Sequence, residues 1–201
     1  TPYNPVQATD PISKPRQVSQ VRPPWTLEEV TTVLTRAVDQ DHLDCFLHLM
    51  LHTGIRPGEA LGLRWEDIDE TMGRIHITGT LKAERRIASN EHGVVRLTRN
   101  DPKTESSHRY LDFDEGISAA LNRQKARQHR WKNDSGQKWD NSGYVITSTV
   151  GTPVSSSNLR KRYQRFLDDI GIRYIRLHDL RHTVARVALE IGIPLEHVSQ
   201  V

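Results

Sequence analysis

The sequence predicts an α+β fold that is mainly α: a helical domain carrying a small three-stranded antiparallel sheet. Two observations predict it. Apolar residues recur at helical spacing over most of the chain, and three short stretches in its middle alternate instead. At 201 residues the chain suits one domain with a small appendage. The appendage is residues 1–25, where prolines at 2, 5, 11, 15, 23 and 24 and no apolar periodicity read as an extended linker or arm. The domain is residues 26–201. Because the chain opens on Thr1 and not Met, a processed product or an excised fragment is expected.

A helix is predicted from Thr26, which caps it and forms a capping box with Glu29; Leu27, Val30, Val33, Leu34 and Val38 make its stripe. A second apolar helix covers 42–52 and ends at Thr53-Gly54, since glycine tolerates the left-handed cap. Pro57 suits the first turn of a short helix reaching Leu63. The alternating stretches are 74–78, 94–97 and 109–113, the last two separated by the turn signal Asn100-Asp101-Pro102, and they are expected to pair as three antiparallel strands. Helical pattern resumes at 115–132. A lone strand is expected at 144–147. A serine-rich cap at 155–157 opens a helix stopped by Gly171, a further helix spans 179–191, and a short one starts at Pro194.

Apolar residues make up 35% of the chain, and one cysteine, Cys45, excludes a disulfide framework and a cysteine-rich zinc site. No apolar run reaches membrane length and no signal peptide opens the chain, so a soluble, cytoplasmic protein is expected. The net charge of +3 does not itself demand nucleic acid. Its distribution is more informative: 10 acids against 4 bases in residues 26–79, then basic excesses in 80–110, 121–138 and 159–186. An acidic front and three basic blocks suggest a surface facing a polyanion, or else solvated helix faces.

Three motifs carry chemistry. In Thr53-Gly54-Ile55-Arg56-Pro57-Gly58-Glu59-Ala60-Leu61, an arginine sits at a helix start with a carboxylate three residues on. This could be an ordinary surface pair. A cation there opposes the helix dipole, however, which argues that Arg56 serves an anion. Pro102-Lys103-Thr104 puts a lysine at a strand-to-strand turn, an unremarkable place for one. In His178-Asp179-Leu180-Arg181-His182-Thr183, a helix would put His178 and Arg181 on one face. The same helix would put His178 and His182 at zinc spacing, but Asp179 stands where a zinc hydrolase needs Glu, and no third ligand is evident. His182 fits a core histidine better than His178 does.

Taken together, T-G-I-R-P-G-E-A-L-G-L-R-W-E-D-I-D, D-P-K-T-E-S-S-H-R-Y-L and H-D-L-R-H-T resemble the first arginine box, the β-hairpin lysine segment and the second box of the tyrosine recombinase, or phage integrase, family. The resemblance covers residues 26–201 and implies the DNA breaking-rejoining fold. It makes Arg56 and Arg181 the phosphate-clamping arginines, Lys103 the hairpin lysine acting as general acid, His178 the box histidine and Glu59 the brace of Arg56, with His182 in support. It implies phosphoryl transfer through a covalent phosphotyrosine. Two arginine forks then do the electrostatic work that metal ions do elsewhere, so no cofactor or metal is implied. The implied partners are double-stranded DNA attachment sites, further protomers in a homotetrameric synapse and accessory DNA-bending or directionality proteins, in a bacterial or phage-encoded, nucleoid-associated setting; the fragment alone is expected to be a monomer.

For DNA contact the candidates are Ser156, Asn158, Arg160, Lys161, Arg162 and Arg165 on the helix entered at Ser155, with Lys82, Arg85 and Arg86 in the first hairpin. One departure matters. Tyr3, Tyr110, Tyr144, Tyr163 and Tyr174 all precede His178, so none matches the nucleophile. The chain is therefore expected to be a catalytic domain truncated before that tyrosine, inactive for cleavage and lacking the upstream jaw. Two alternatives stay open at this point: a type IB topoisomerase-like nicking-closing enzyme, and a non-catalytic DNA-binding regulator with the same fold.

Overall fold

The computed structural model describes residues 23–38, 40–86, 94–100 and 109–192. Its centre is α2 (Asp41–Thr53), which packs against α1 (Leu27–Ala37), α3 (Pro57–Gly62), α4 (Glu115–Ser135), α5 (Ser156–Ile170) and α6 (Leu180–Glu190). α2 holds that place because Leu43, Cys45, Phe46, Leu47, Leu49, Met50 and Leu51 bury it nearly all round. A helix buried on most of its sides is stable only when other elements wrap it. The capping box forms as predicted: Thr26 Oγ1 accepts from the Glu29 N–H at 3.2 Å, and the Glu29 carboxylate accepts from the Thr26 N–H at 2.8 Å. Val30, Val33 and Ala37 carry the buried stripe of α1, while Leu27 and Val38 at its ends are exposed.

The strands differ from expectation. β1 (Ile68–Asp69), β2 (Arg74–Ile77) and β5 (Arg109–Asp112) form the three-stranded antiparallel sheet, in the order β1-β2-β5. The expected third member, β4 (Val94–Asn100), instead pairs with β3 (Thr80–Arg86) in a separate two-stranded ribbon, from Thr80 opposite Asn100 to Arg86 opposite Val94. The reason is visible in β3, whose Thr-Leu-Lys-Ala-Glu-Arg-Arg shows no apolar alternation to announce a strand. Residues 144–147 make only isolated bridges, Arg64 with Tyr144 and Thr147 with Pro153, so the lone strand expected there is absent. The turn at Asp101-Pro102 and the short helix from Pro194 lie outside the described residues.

Residues 23–25, the described end of the proline-rich arm, pack on the domain, while the rest of the arm lies outside the described residues. Trp25 is fully buried, its indole N–H donates to the Arg173 carbonyl at 3.1 Å, and its backbone N–H donates to Thr183 Oγ1 at 3.2 Å. Arg173 in turn donates to the carbonyls of Pro23 and Pro24, both at 2.7 Å, so this strap is held by hydrogen bonds as well as by apolar burial.

Part of the basic charge is already paired within the fold, which qualifies the reading of the charge blocks. Asp44, fully buried, accepts a fork from Arg123 at 2.8 and 2.7 Å and a further bond from Arg127 at 3.2 Å. Asp41 receives Arg162 at 2.9 Å, Asp67 receives Arg99 at 2.7 Å, and Glu70 pairs with Lys125. These pairs join the acidic front of the chain to its basic blocks. No helix among the described residues is long and apolar enough to cross a membrane.

Burial alone would raise the Asp44 carboxyl, but bonds from Arg123, His48 and Arg127 outweigh it and hold the group far below the usual carboxylate range. A depressed carboxyl contributes stability above its unfolded value, near 3.9, and that contribution is lost as pH falls towards the folded value. Asp44→Asn should therefore destabilise the domain at pH 7 by about 3–5 kcal/mol, because it strands a buried guanidinium. Urea unfolding across pH 2–7 checks this: the wild type should lose stability below about pH 4, and the variant should show a flatter slope there.

Candidate active site

The geometry of the first motif starts from two glycines. Gly54 ends α2 at φ +63°, a left-handed conformation that other residues adopt at a cost. Gly62 lets α3 lie against β3, since a Cβ there would meet the Leu81 backbone nitrogen at 2.8 Å. Between them Arg56 sits immediately before α3 and Glu59 falls in its first turn. Glu59 Oε1 accepts from Arg56 Nη1 at 3.0 Å and from Arg109 Nη1 at 3.2 Å. Its Oε2 accepts from the Arg56 backbone N–H at 3.1 Å and from Arg109 Nη2 at 2.8 Å. Burial would raise this carboxyl, yet the bonds from Arg109 and Arg56 prevail and keep it below the usual range. The Arg56 side chain stays 57% exposed.

The second motif folds as two pieces, not as one helix. Leu177–Asp179 is a single 3-10 turn and α6 begins at Leu180. His178 therefore lies on the turn before the helix, three residues ahead of Arg181. Asp179 stabilises the turn by accepting a fork from Arg176 at 2.9 and 3.0 Å. Arg181 Nη1 donates to the Gly54 carbonyl, one of the acceptors left over at the end of α2. That bond brings the second-box arginine to within two residues of Arg56 along the chain. Burial lowers the Arg181 pKa, and the positive charges of Arg56 and Arg109 lower it further, with Glu59 opposing. Two guanidiniums thus share one carboxylate, and a third, on Arg181, feels the charge of all three groups.

The remaining candidates divide. His178 is exposed, and His182 is exposed as well, so His182 is not a core histidine. Their rings meet edge-on with centroids 6.3 Å apart. Among the described residues, no group of three or more His, Cys, Asp and Glu side chains could hold a metal ion. Lys103 and the side chain of Arg85 lie outside the described residues. Lys82, Ser156, Asn158, Arg160, Lys161 and Arg165 are exposed. Arg160, Lys161 and Arg165 line an open groove of about 540 Å³ with Gln164 and Tyr174. Arg162, on the same helix, is turned to Asp41 and Gln40 instead. Sequence reasoning missed Arg109 at the site. It stands 50 residues from Glu59, and only the register of β5 on β2, with Arg109 opposite Ile77, brings it there.

The comparisons with known proteins agree with this geometry. Residues 26–201 match the phage integrase family. A tyrosine recombinase XerC-like protein of Caldanaerobacter subterraneus is 30% identical over 176 residues, covering 86% of this chain and 45% of that protein. The integrase of Staphylococcus phage L54a is 27% identical over 151 residues, covering 73% of this chain and 40% of the phage protein. The chain spans about half the length of the curated relatives it matches. Among solved structures, XerA recombinase superimposes with a TM-score of 0.66 at 18% identity, covering 89% of this chain and 55% of that one. The Tn1549 transposon integrase, solved with circular intermediate DNA, gives a TM-score of 0.67 at 17% identity, covering 98% of this chain and 60% of that one. Those likenesses establish the recombinase catalytic-domain fold, and the match over the whole stretch from Thr26 onward establishes that the chain belongs to the phage integrase family of tyrosine recombinases.

Proposed function

We propose that this chain is the catalytic domain of a site-specific DNA recombinase that breaks and rejoins DNA through a covalent phosphotyrosine. The observation that supports the reading is that Arg181 bonds the carbonyl of Gly54, two residues before Arg56, while Glu59 holds Arg56. A phosphodiester under attack builds charge on its non-bridging oxygens, and planar guanidinium forks meet such oxygens in pairs. In this reading Arg56 and Arg181 clamp the scissile phosphate. Lys103 protonates the leaving 5′-oxygen, His178 assists proton transfer at the nucleophile, and His182 supports it. No tyrosine follows His178 in these 201 residues, so the residues proposed here are those of the clamp.

The proposed substrate is a double-stranded attachment site, recombined by four protomers together, with accessory DNA-bending or directionality proteins as further partners. Phosphate contacts would supply most of the affinity. The exposed Arg160, Lys161 and Arg165, with Ser156 and Asn158 at the start of α5, are the proposed base- and phosphate-facing set, and Lys82 and Arg85 of β3 a second one. Integration of a phage or mobile element into bacterial DNA is the proposed setting, in keeping with the likeness to the staphylococcal phage integrase.

A salt titration tests the DNA surface. Binding of the 201-residue chain should be weak, little dependent on sequence, and steeply weakened by salt. Replacing Lys161 or Arg165 by Ala should each reduce the slope of log K against log salt by about 0.9 if the residue meets one phosphate. A salt-insensitive interaction contradicts the phosphate-contact account.

Cleavage tests the clamp. In a recombinase polypeptide that carries this domain together with its tyrosine, Arg56→Lys or Arg181→Lys should lower covalent-adduct formation by about 10²–10³, with DNA affinity nearly unchanged, because lysine keeps the charge and loses the fork. On a nicked suicide substrate the 201-residue chain alone should give no denaturation-resistant adduct. An adduct that survives replacement of all five tyrosines contradicts the phosphotyrosine reading.

A further inference from the structure

We infer that Arg109 is a positioning residue: by occupying both oxygens of Glu59 it leaves the guanidinium fork of Arg56 open for the phosphate. The inference rests on the proposed clamp and adds a residue to it. A carboxylate offers about four lone-pair sites, and in Glu59 all are used. Arg109 takes one on each oxygen in parallel, at 3.2 and 2.8 Å; the Arg56 backbone N–H takes a third at 3.1 Å, and Arg56 Nη1 takes the last at 3.0 Å.

The asymmetry between the two arginines is what matters. Arg109 spends both terminal nitrogens on Glu59 and its side chain is only 25% exposed. Arg56 gives Glu59 one nitrogen and keeps 57% of its side chain exposed. Without Arg109, Glu59 would have two lone pairs free, and the nearest fork able to fill them is that of Arg56, three residues away on the same turn. A bidentate Arg56–Glu59 pair would compete with any phosphate for the same nitrogens. Arg109 also adds a positive charge that Arg181 feels.

The test uses the 201-residue chain, inorganic phosphate as the probe, and the Nε–Hε resonances of Arg56 and Arg181 as the readout. In the wild type both should shift with one common dissociation constant. Arg109→Gln should raise that constant about ten-fold or more at Arg56, the scale of losing a charged hydrogen-bond arrangement. Arg109→Lys, which keeps the charge and most of the fold but not the fork, should recover only part of the loss. In a Glu59→Gln background, Arg109→Gln should add little, because the residue acts through Glu59. An unchanged constant in both Arg109 variants overturns the positioning role. An equal loss in the Glu59→Gln background also overturns it, by making Arg109 a direct ligand or a plain charge. A wild type in which neither Arg56 nor Arg181 responds to phosphate overturns the clamp itself, and so is distinguishable from the other two results.

Discussion

One buried carboxylate organises the site. Glu59 is 6% exposed, and it draws a fork from β5, a side chain and a backbone N–H from the turn before α3. A charge taken out of water costs several kcal/mol unless hydrogen bonds and opposite charge compensate it. Here the compensation is directional: it ties strand β5 to helix α3 and aims Arg56 outward. Arg181, held by the carbonyl of Gly54, completes the arrangement from α6. The proposed clamp draws on these elements, which lie far apart in sequence, because electrostatic stabilisation of phosphoryl transfer needs charges held in place.

The same device recurs away from the site. Asp44 gathers Arg123 and Arg127 of α4 onto the central helix, Asp67 gathers Arg99 of β4, and Glu29 gathers Arg173. Each pair joins the acidic first third of the chain to the basic remainder. The partly buried ones add orientation to a core that apolar packing has already assembled, since an exposed pair adds only about 0–1 kcal/mol. The charge left over for a ligand is then smaller than the sequence totals suggest, and among the described residues it includes Arg56 and the exposed bases of α5.

How much of this was legible in the sequence depends on range. Local signals were reliable: the Thr26–Glu29 box, the Gly54 cap and the serine-capped start of α5 all depend on residues within a turn of one another. The arginine motifs were legible because Arg56 and Glu59 are neighbours on one turn, and because the resemblance paired them with Arg181. Long-range partners were not. β3 has too little apolar alternation to claim β4, and nothing near Asp44 or Glu59 in sequence announces Arg123 or Arg109. Trp25 stands among prolines that read as a linker, although a tryptophan beside a proline pair can still anchor a core. The basic blocks read as free charge for the same reason, because composition does not reveal which arginines are already paired.

The central claim is that Arg56 and Arg181 hold one phosphate between them. Tungstate mimics that anion and scatters anomalously, so crystals of the chain soaked in tungstate report its position directly. The account predicts a single anomalous peak within hydrogen-bond distance of both guanidiniums, with Glu59 still bonded to Arg109. Separate peaks at Arg56 and Arg181, or a tungstate site elsewhere with none between them, would contradict it.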